Sequence, residues 1–169
     1  LLLQNTSLFA AGGGRISVMD TILVPVDFST GSRRLVRAAA DLGRSLHGQL
    51  VLLHVAEPVA AYVPVGASMD VIAPPPVDLL EYETPALAER LEGLAALVRD
   101  NVLPVECVVV TGLATEEILE QAVVRQARYI VMASHGHGAL FHLFSGSVVT
   151  GVLRRARQPV LIVPVREKE

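Results

Sequence analysis

Two short stretches of this sequence hold the residue types that chemistry needs. In Pro25-Val26-Asp27-Phe28-Ser29, a carboxylate and a hydroxyl follow an apolar run. The second stretch is Ala133-Ser134-His135-Gly136-His137-Gly138, with Gly146-Ser147-Val148 further on. Glycines after a strand or at a helix start let backbone N–H groups approach an anion closely. The amino-terminal end of a helix dipole favours negative charge there, and the Ser147 hydroxyl adds a donor. This stretch therefore reads as a phosphate cradle, with Asp27 as a carboxylate at another strand end. Glycine-rich turns are also ordinary punctuation after strands, so it is the combination that favours the cradle. No Gly-Lys-Ser or Gly-Lys-Thr occurs, which excludes a Walker A loop. The first strand is followed by Asp27-Phe28-Ser29 rather than glycines, which excludes the dinucleotide fingerprint.

Other reactive side chains carry less. His135, His137 and His142 fall close together, but no cysteine or carboxylate accompanies them at ligand spacing, and no metal site is expected. His54, at the end of an apolar run, reads as a core or rim histidine. Asp27 lacks the acidic cluster and following lysine of a phosphoacceptor site. Ser147 has no evident base or orienting acid, and no Gly-x-Ser-x-Gly elbow occurs. Cys107 is the sole cysteine and lies in the apolar run 105–110, so it reads as a small core residue. The reading names no catalytic residue and expects no efficient turnover.

The positioning elements follow from hydrophobic period. Residues 21–26, 49–55, 105–110, 128–133 and 159–165 read as strands, each a β-branched or apolar run. A helix capped by Ser29 or Thr30 carries Leu35, Ala38, Ala39, Leu42 and Leu46 on one face and closes at Gly48. Residues 57–84, with Pro74-Pro75-Pro76, show no sustained period and are expected to be irregular. Pro85 suits the first turn of a helix with Leu87, Leu91, Leu94 and Val98 inward. Thr115 caps a third helix, with Glu116 and Glu117 in its first turn. A fourth, over residues 146–157, turns Val148, Val149, Val152, Leu153 and Ala156 inward. The alternation predicts an α/β fold, a five-stranded open parallel sheet with helices on both faces. In such sheets ligands bind at the carboxyl ends of the strands, where the topology reverses.

Composition agrees. Hydrophobic residues make up 51% of the 169 and aromatics only 4%, so the core must be largely aliphatic, as in buried parallel strands. A net charge of −3 gives no case for nucleic acid or an anionic membrane as partner. No apolar stretch is long enough to span a bilayer, and Leu1-Leu2-Leu3 lacks the layout of a secretory signal. Residues 1–18 show neither period and are expected to be a disordered extension, with residues 19–169 forming one domain.

From Met19 to Val165 the sequence resembles the universal stress protein family, in its nucleotide-binding branch. That branch carries Gly-x-x-Gly, nine residues, then Gly-Ser or Gly-Thr. Here Gly136 is followed by nine residues and then Gly146-Ser147, while Ala133 stands at the first glycine position. Val24-Pro25-Val26-Asp27-Phe28-Ser29 and Leu52-Leu53-His54-Val55 also match. The resemblance implies a Rossmann-like fold of the adenine nucleotide alpha hydrolase-like kind. It implies ATP, or ADP or AMP in its place, with Mg2+ or Mn2+ carried by the phosphates. Asp27 would meet the ribose, and Val55 would contact adenine through its main chain. Gly136, His137, Gly146, Ser147 and Val148 would surround the phosphates, with Pro25, Val26, Met132, Ala133, His135 and Gly138 completing the site. Where relatives often have a basic residue this chain has His142, which implies weaker or pH-dependent binding. A cytoplasmic homodimer joined through strand 159–165 is also implied. A non-binding interaction dimer and a slow ATPase or self-phosphorylating protein are the alternatives.

Overall fold

The computed structural model describes residues 19–57, 61–65, 69–73, 77–100, 102–135 and 147–165. The expected extension, 1–18, and the glycine-rich stretch 136–146 lie outside them. In chain order the elements are β1 (Thr21–Pro25), α1 (Ser32–Leu46), β2 (Gln49–Ala56), β3 (Ala61–Val65), β4 (Met69–Ala73), α2 (Val77–Ala95), β5 (Val105–Thr111), α3 (Ala114–Val124), β6 (Tyr129–His135), α4 (Ser147–Arg155) and β7 (Val160–Val165). Five strands form one parallel sheet, as the sequence predicts, and the structure sets their order as β5-β2-β1-β6-β7.

Both faces of the central strands are apolar, so alternate residues feed two cores. Leu50 and Leu52 of β2 pack with α1 and α2 on one face. Val51 and Leu53 pack with α3 and α4 on the other. Burial of such side chains is worth roughly 1.5–3 kcal/mol each, and Ile22, Leu23, Val24, Leu50, Leu52 and Leu53 are all fully buried. Cys107 packs against the first core, as expected.

The stretch 57–84 is not irregular. It contains an antiparallel pair, β3 with β4, running from Ala61↔Ala73 to Val65↔Met69. β-Branched residues at Val63, Val71 and Ile72 favour strands, and a two-stranded ladder leaves each strand an open edge that tolerates Pro64. α2 then begins at Val77, directly after the three prolines, so Pro85 lies inside the helix rather than in its first turn. A proline there supplies no N–H to the carbonyl four residues back. The inward face is the expected one, with Leu91 and Val98 buried and Leu94 partly so.

Three caps differ from expectation. α1 is preceded by Gly31 rather than by Ser29 or Thr30. Its end is turned by His47 at φ 51°, while Gly48 is needed because a Cβ would strike the Asp20 carbonyl. α3 starts at Ala114 after Leu113, placing Thr115 inside the first turn. The Ala114 N–H is met instead by Glu57 Oε1 at 3.3 Å, a carboxylate at a helix start where the dipole favours it.

Candidate functional site

The order in which the chain adds strands reverses between β1 and β6, which run parallel. Seven residue pairs join β2 to β5, but only Ile22↔Tyr129 and Leu23↔Ile130 join β1 to β6. Beyond Leu23 the paired ladder stops, leaving a crevice at the carboxyl ends, the position where open α/β sheets bind ligands. A cavity of about 590 Å³ occupies it, within the 300–1,000 Å³ usual for small-molecule sites. Seven of the residues expected at the site line it: Pro25, Val26, Asp27, Val55, Met132, Ala133 and Val148. β1 supplies the first three from its end, β2 supplies Val55, β6 supplies Met132 and Ala133, and α4 supplies Val148.

His135 closes β6 and Ser147 opens α4. Gly136, His137, Gly138 and Gly146 lie outside the described residues. Ala133 sits in extended backbone opposite Val163 and is absent from the non-glycine residues with positive φ. A glycine's freedom is therefore not required there, and alanine adds no backbone strain.

Asp27 lies two residues beyond β1. Its Oδ1 accepts the Ser29 N–H at 3.0 Å and the Ser32 hydroxyl at 3.2 Å, closing a tight turn into α1. This turn forces Phe28 to φ 59°, a conformation costing of order 1–3 kcal/mol for a bulky residue. Packing holds it there. The Phe28 ring lies 4.3 Å from the His54 ring and 4.2 Å from the Arg90 guanidinium carbon. His54 Nδ1 lies 2.7 Å from the Val26 carbonyl. A carbonyl only accepts, so Nδ1 carries the proton, and the histidine pins the chain just before Asp27. The adjoining Val26 N–H is held by the Leu53 carbonyl at 2.8 Å.

His54 therefore does more than fill a rim: it lines the cavity and orients its edge. Glu57, Leu87, Ala114 and Ile118 also line it and were missed in the sequence. Glu57 carried a signal, a carboxylate just past a strand end. Leu87, Ala114 and Ile118 carried none, because helical period gives a buried face without saying what that face meets. Among the described residues the lining holds two carboxylates, Asp27 and Glu57, and no lysine or arginine. Such a surface accepts hydroxyl and amino hydrogens beside an apolar wall; it does not attract phosphate. Among the described residues no cluster of three His, Cys, Asp or Glu could hold a metal, and no helix is long and apolar enough to cross a membrane.

Solved structures with the same fold include protein MJ0577 of Methanocaldococcus jannaschii, at TM-score 0.67 and 22% identity, covering 88% of this chain and 98% of that one. A universal stress protein solved in complex with cAMP has TM-score 0.60 at 21% identity, covering 86% and 97%. One from Archaeoglobus fulgidus in complex with dAMP has TM-score 0.58 at 21%, covering 86% and 98%. By sequence, universal stress protein MJ0531 of Methanocaldococcus jannaschii is 26% identical, over 88% of this chain and 84% of its own. A universal stress protein of Thermus aquaticus is 29% identical, over 86% and 99%. The chain spans only 44% of the length of Rv2005c from Mycobacterium tuberculosis, at 29% identity. The model of the universal stress protein family matches residues 19–164, and the chain belongs to that family.

Proposed function

We propose that this protein binds ATP, or ADP or AMP in its place, and acts as a nucleotide-dependent stress-response module. The observation that carries the reading is the 590 Å³ cavity at the topological reversal, walled by aliphatic side chains and edged by two carboxylates. Such a cavity suits a nucleoside. The base lies against apolar surface near Val55, Ile118 and Met132, and Asp27 accepts from the ribose hydroxyls. With no cation among the described lining residues, the phosphates belong toward Ser147 and the glycine-rich stretch 136–146. The α4 dipole favours negative charge there. Bound nucleotide would bring Mg2+ or Mn2+ on its phosphates, held mostly by phosphate oxygens and water. The cAMP and dAMP complexes of proteins with this fold support an adenine nucleotide as the ligand class.

The same reading includes a cytoplasmic homodimer. Among the described residues β7 pairs only with β6 and exposes 46% of Leu161, and a bare apolar edge invites a second strand.

The test is mass spectrometry of nucleotide released by acid from fresh protein, followed by calorimetric titration of ATP with Mg2+. Nucleotide near one per chain, or a saturable heat weakened at least about tenfold by Asp27→Ala, is expected. Neither nucleotide nor heat from folded protein would overturn the reading in favour of a non-binding dimer. Phosphate release above background in the same samples would identify a slow ATPase.

A further inference from the structure

A second cavity, of about 310 Å³, opens between α1 and α2, with Phe28, Ser29, Thr30, Arg33, Arg90 and Leu97 among its walls. It lies beyond Phe28 from the first cavity, and the two share no lining residue. Their chemistry is opposite. Among the described residues, the first has two carboxylates and no arginine; the second has two arginines and no carboxylate.

Some arginines of this chain are neutralised by a carboxylate and others are not. Arg44, Arg99, Arg125, Arg128 and Arg155 each pair with a carboxylate, of Asp100, Glu92, Glu106, Asp20 and Glu116 respectively. Arg33 and Arg90 pair with none among the described residues. The Arg90 guanidinium lies over the Phe28 ring, which fixes its charge without occupying its in-plane donors with an oxygen. Two unpaired cations from different helices around one cavity repel each other until an anion neutralises them. Guanidinium forks match phosphate oxygens. Ser29 and Thr30 bring hydroxyls to the same walls, and Phe28 and Leu97 provide apolar surface. The volume is at the low end for small-molecule sites, which suits one phosphoryl group with a small body.

We propose that this cavity binds a phosphoryl anion, free phosphate or a small phosphomonoester, between Arg33 and Arg90. The site is independent of nucleotide in the first cavity.

The full-length protein is titrated with inorganic phosphate and, separately, with phenyl phosphate at constant ionic strength. Backbone amide shifts of Ser29, Thr30 and Arg90 are followed by NMR. A saturable shift with a dissociation constant of about 1 mM or below is expected, weakened at least about tenfold by Arg33→Ala or Arg90→Ala. Arg90→Lys recovers part of the loss, and Arg154→Ala, at an exposed arginine of α4, leaves binding as in the parent. Tighter binding of phenyl phosphate assigns the site to a phosphomonoester lying on Phe28 and Leu97, and equal binding assigns it to free phosphate. Absence of a saturable shift, or unchanged binding in an Arg33→Ala/Arg90→Ala variant, would overturn the proposal. Both arginine side chains are exposed, and a thermal melt confirms that the variants fold.

Discussion

The two faces of the sheet are covered to different depths. Against α1 and α2, the buried set includes Ala39, Ala40, Leu50, Leu52, Leu91 and Leu103, all at 0% exposure. Against α3 and α4 the buried set among the described residues is smaller. Val148, Val149 and Leu119 are only partly covered there, and Val123 and Val124 remain 59% and 67% exposed. The candidate site draws Ile118, Val148 and Val149 from this looser side. Rigid packing on one face keeps the strand ends in register, and incomplete packing on the other leaves room for a ligand. Close-packed cores have few voids, so a cavity of this size needs a region where packing gives way.

Mutations at matched positions put this contrast to the test. The largest effect is expected from Leu52→Ala, which removes a fully buried side chain from the tight face and should cost about 2–5 kcal/mol in denaturant unfolding. Val149→Ala, at the cavity wall, should cost under about 1.5 kcal/mol while weakening ATP binding. Equal costs would erase the distinction between the faces.

Two helical glycines sharpen it. A Cβ on Gly43 of α1 would lie 2.7 Å from Leu103 and 3.2 Å from Leu50, both locked in the core. Gly43→Ala should therefore cost about 1–3 kcal/mol by overpacking. A Cβ on Gly151 of α4 would lie nearest the Thr115 side chain, 2.8 Å from Cγ2 and 2.9 Å from Oγ1, so α3 and α4 must shift slightly apart on the looser face. Gly151→Ala gains up to about 1 kcal/mol of helix propensity, which offsets part of that cost, and should destabilise less than Gly43→Ala. Thermal melts of the pair would decide.

Surface carboxylates give a smaller contrast. On the tight side, N–H groups of Val102 and Leu103 and the Arg44 guanidinium hold the Asp100 carboxyl below its ordinary value of 3.8. On the loose side, Arg155 alone holds Glu116 below 4.5. A folded-state value below the unfolded one makes the contribution fully present above the ordinary value, and lost as pH falls through the lowered one. Asp100→Asn and Glu116→Gln should therefore destabilise at pH 7 and converge on the parent below these values. High salt should diminish the Glu116 effect more, because an exposed ion pair is screened while the Asp100 backbone hydrogen bonds are not. Equal salt dependence would contradict that assignment.

Cys107 gives the smallest signal. Burial, then its contacts with Glu92, push its thiol up to about 12. Iodoacetamide should leave it unmodified at pH 8 in native protein and alkylate it once the chain is unfolded. Rapid native labelling would show that β5 opens at the sheet edge.

The sequence was legible where period and composition speak directly. Apolar runs located all five sheet strands, and the strand-end positions of Asp27, Val55, Met132 and Ala133 pointed to one end of the sheet. The β3–β4 pair escaped because prolines masked its short runs, and Pro85 hid the true start of α2. Helix caps escaped too, since Glu57 reaches Ala114 from a distant strand.

Local pattern thus determined the α/β class, the motif residues and the family, because hydrophobic period and short motifs are properties of neighbours along the chain. Only the tertiary structure decided that β1 and β6 part after Leu23, that His54 and Arg90 clamp Phe28 from separate elements, and that Arg33 and Arg90 line one cavity with no carboxylate among the described residues. These facts depend on contacts between residues far apart in sequence, and no local period encodes the space left between packed elements.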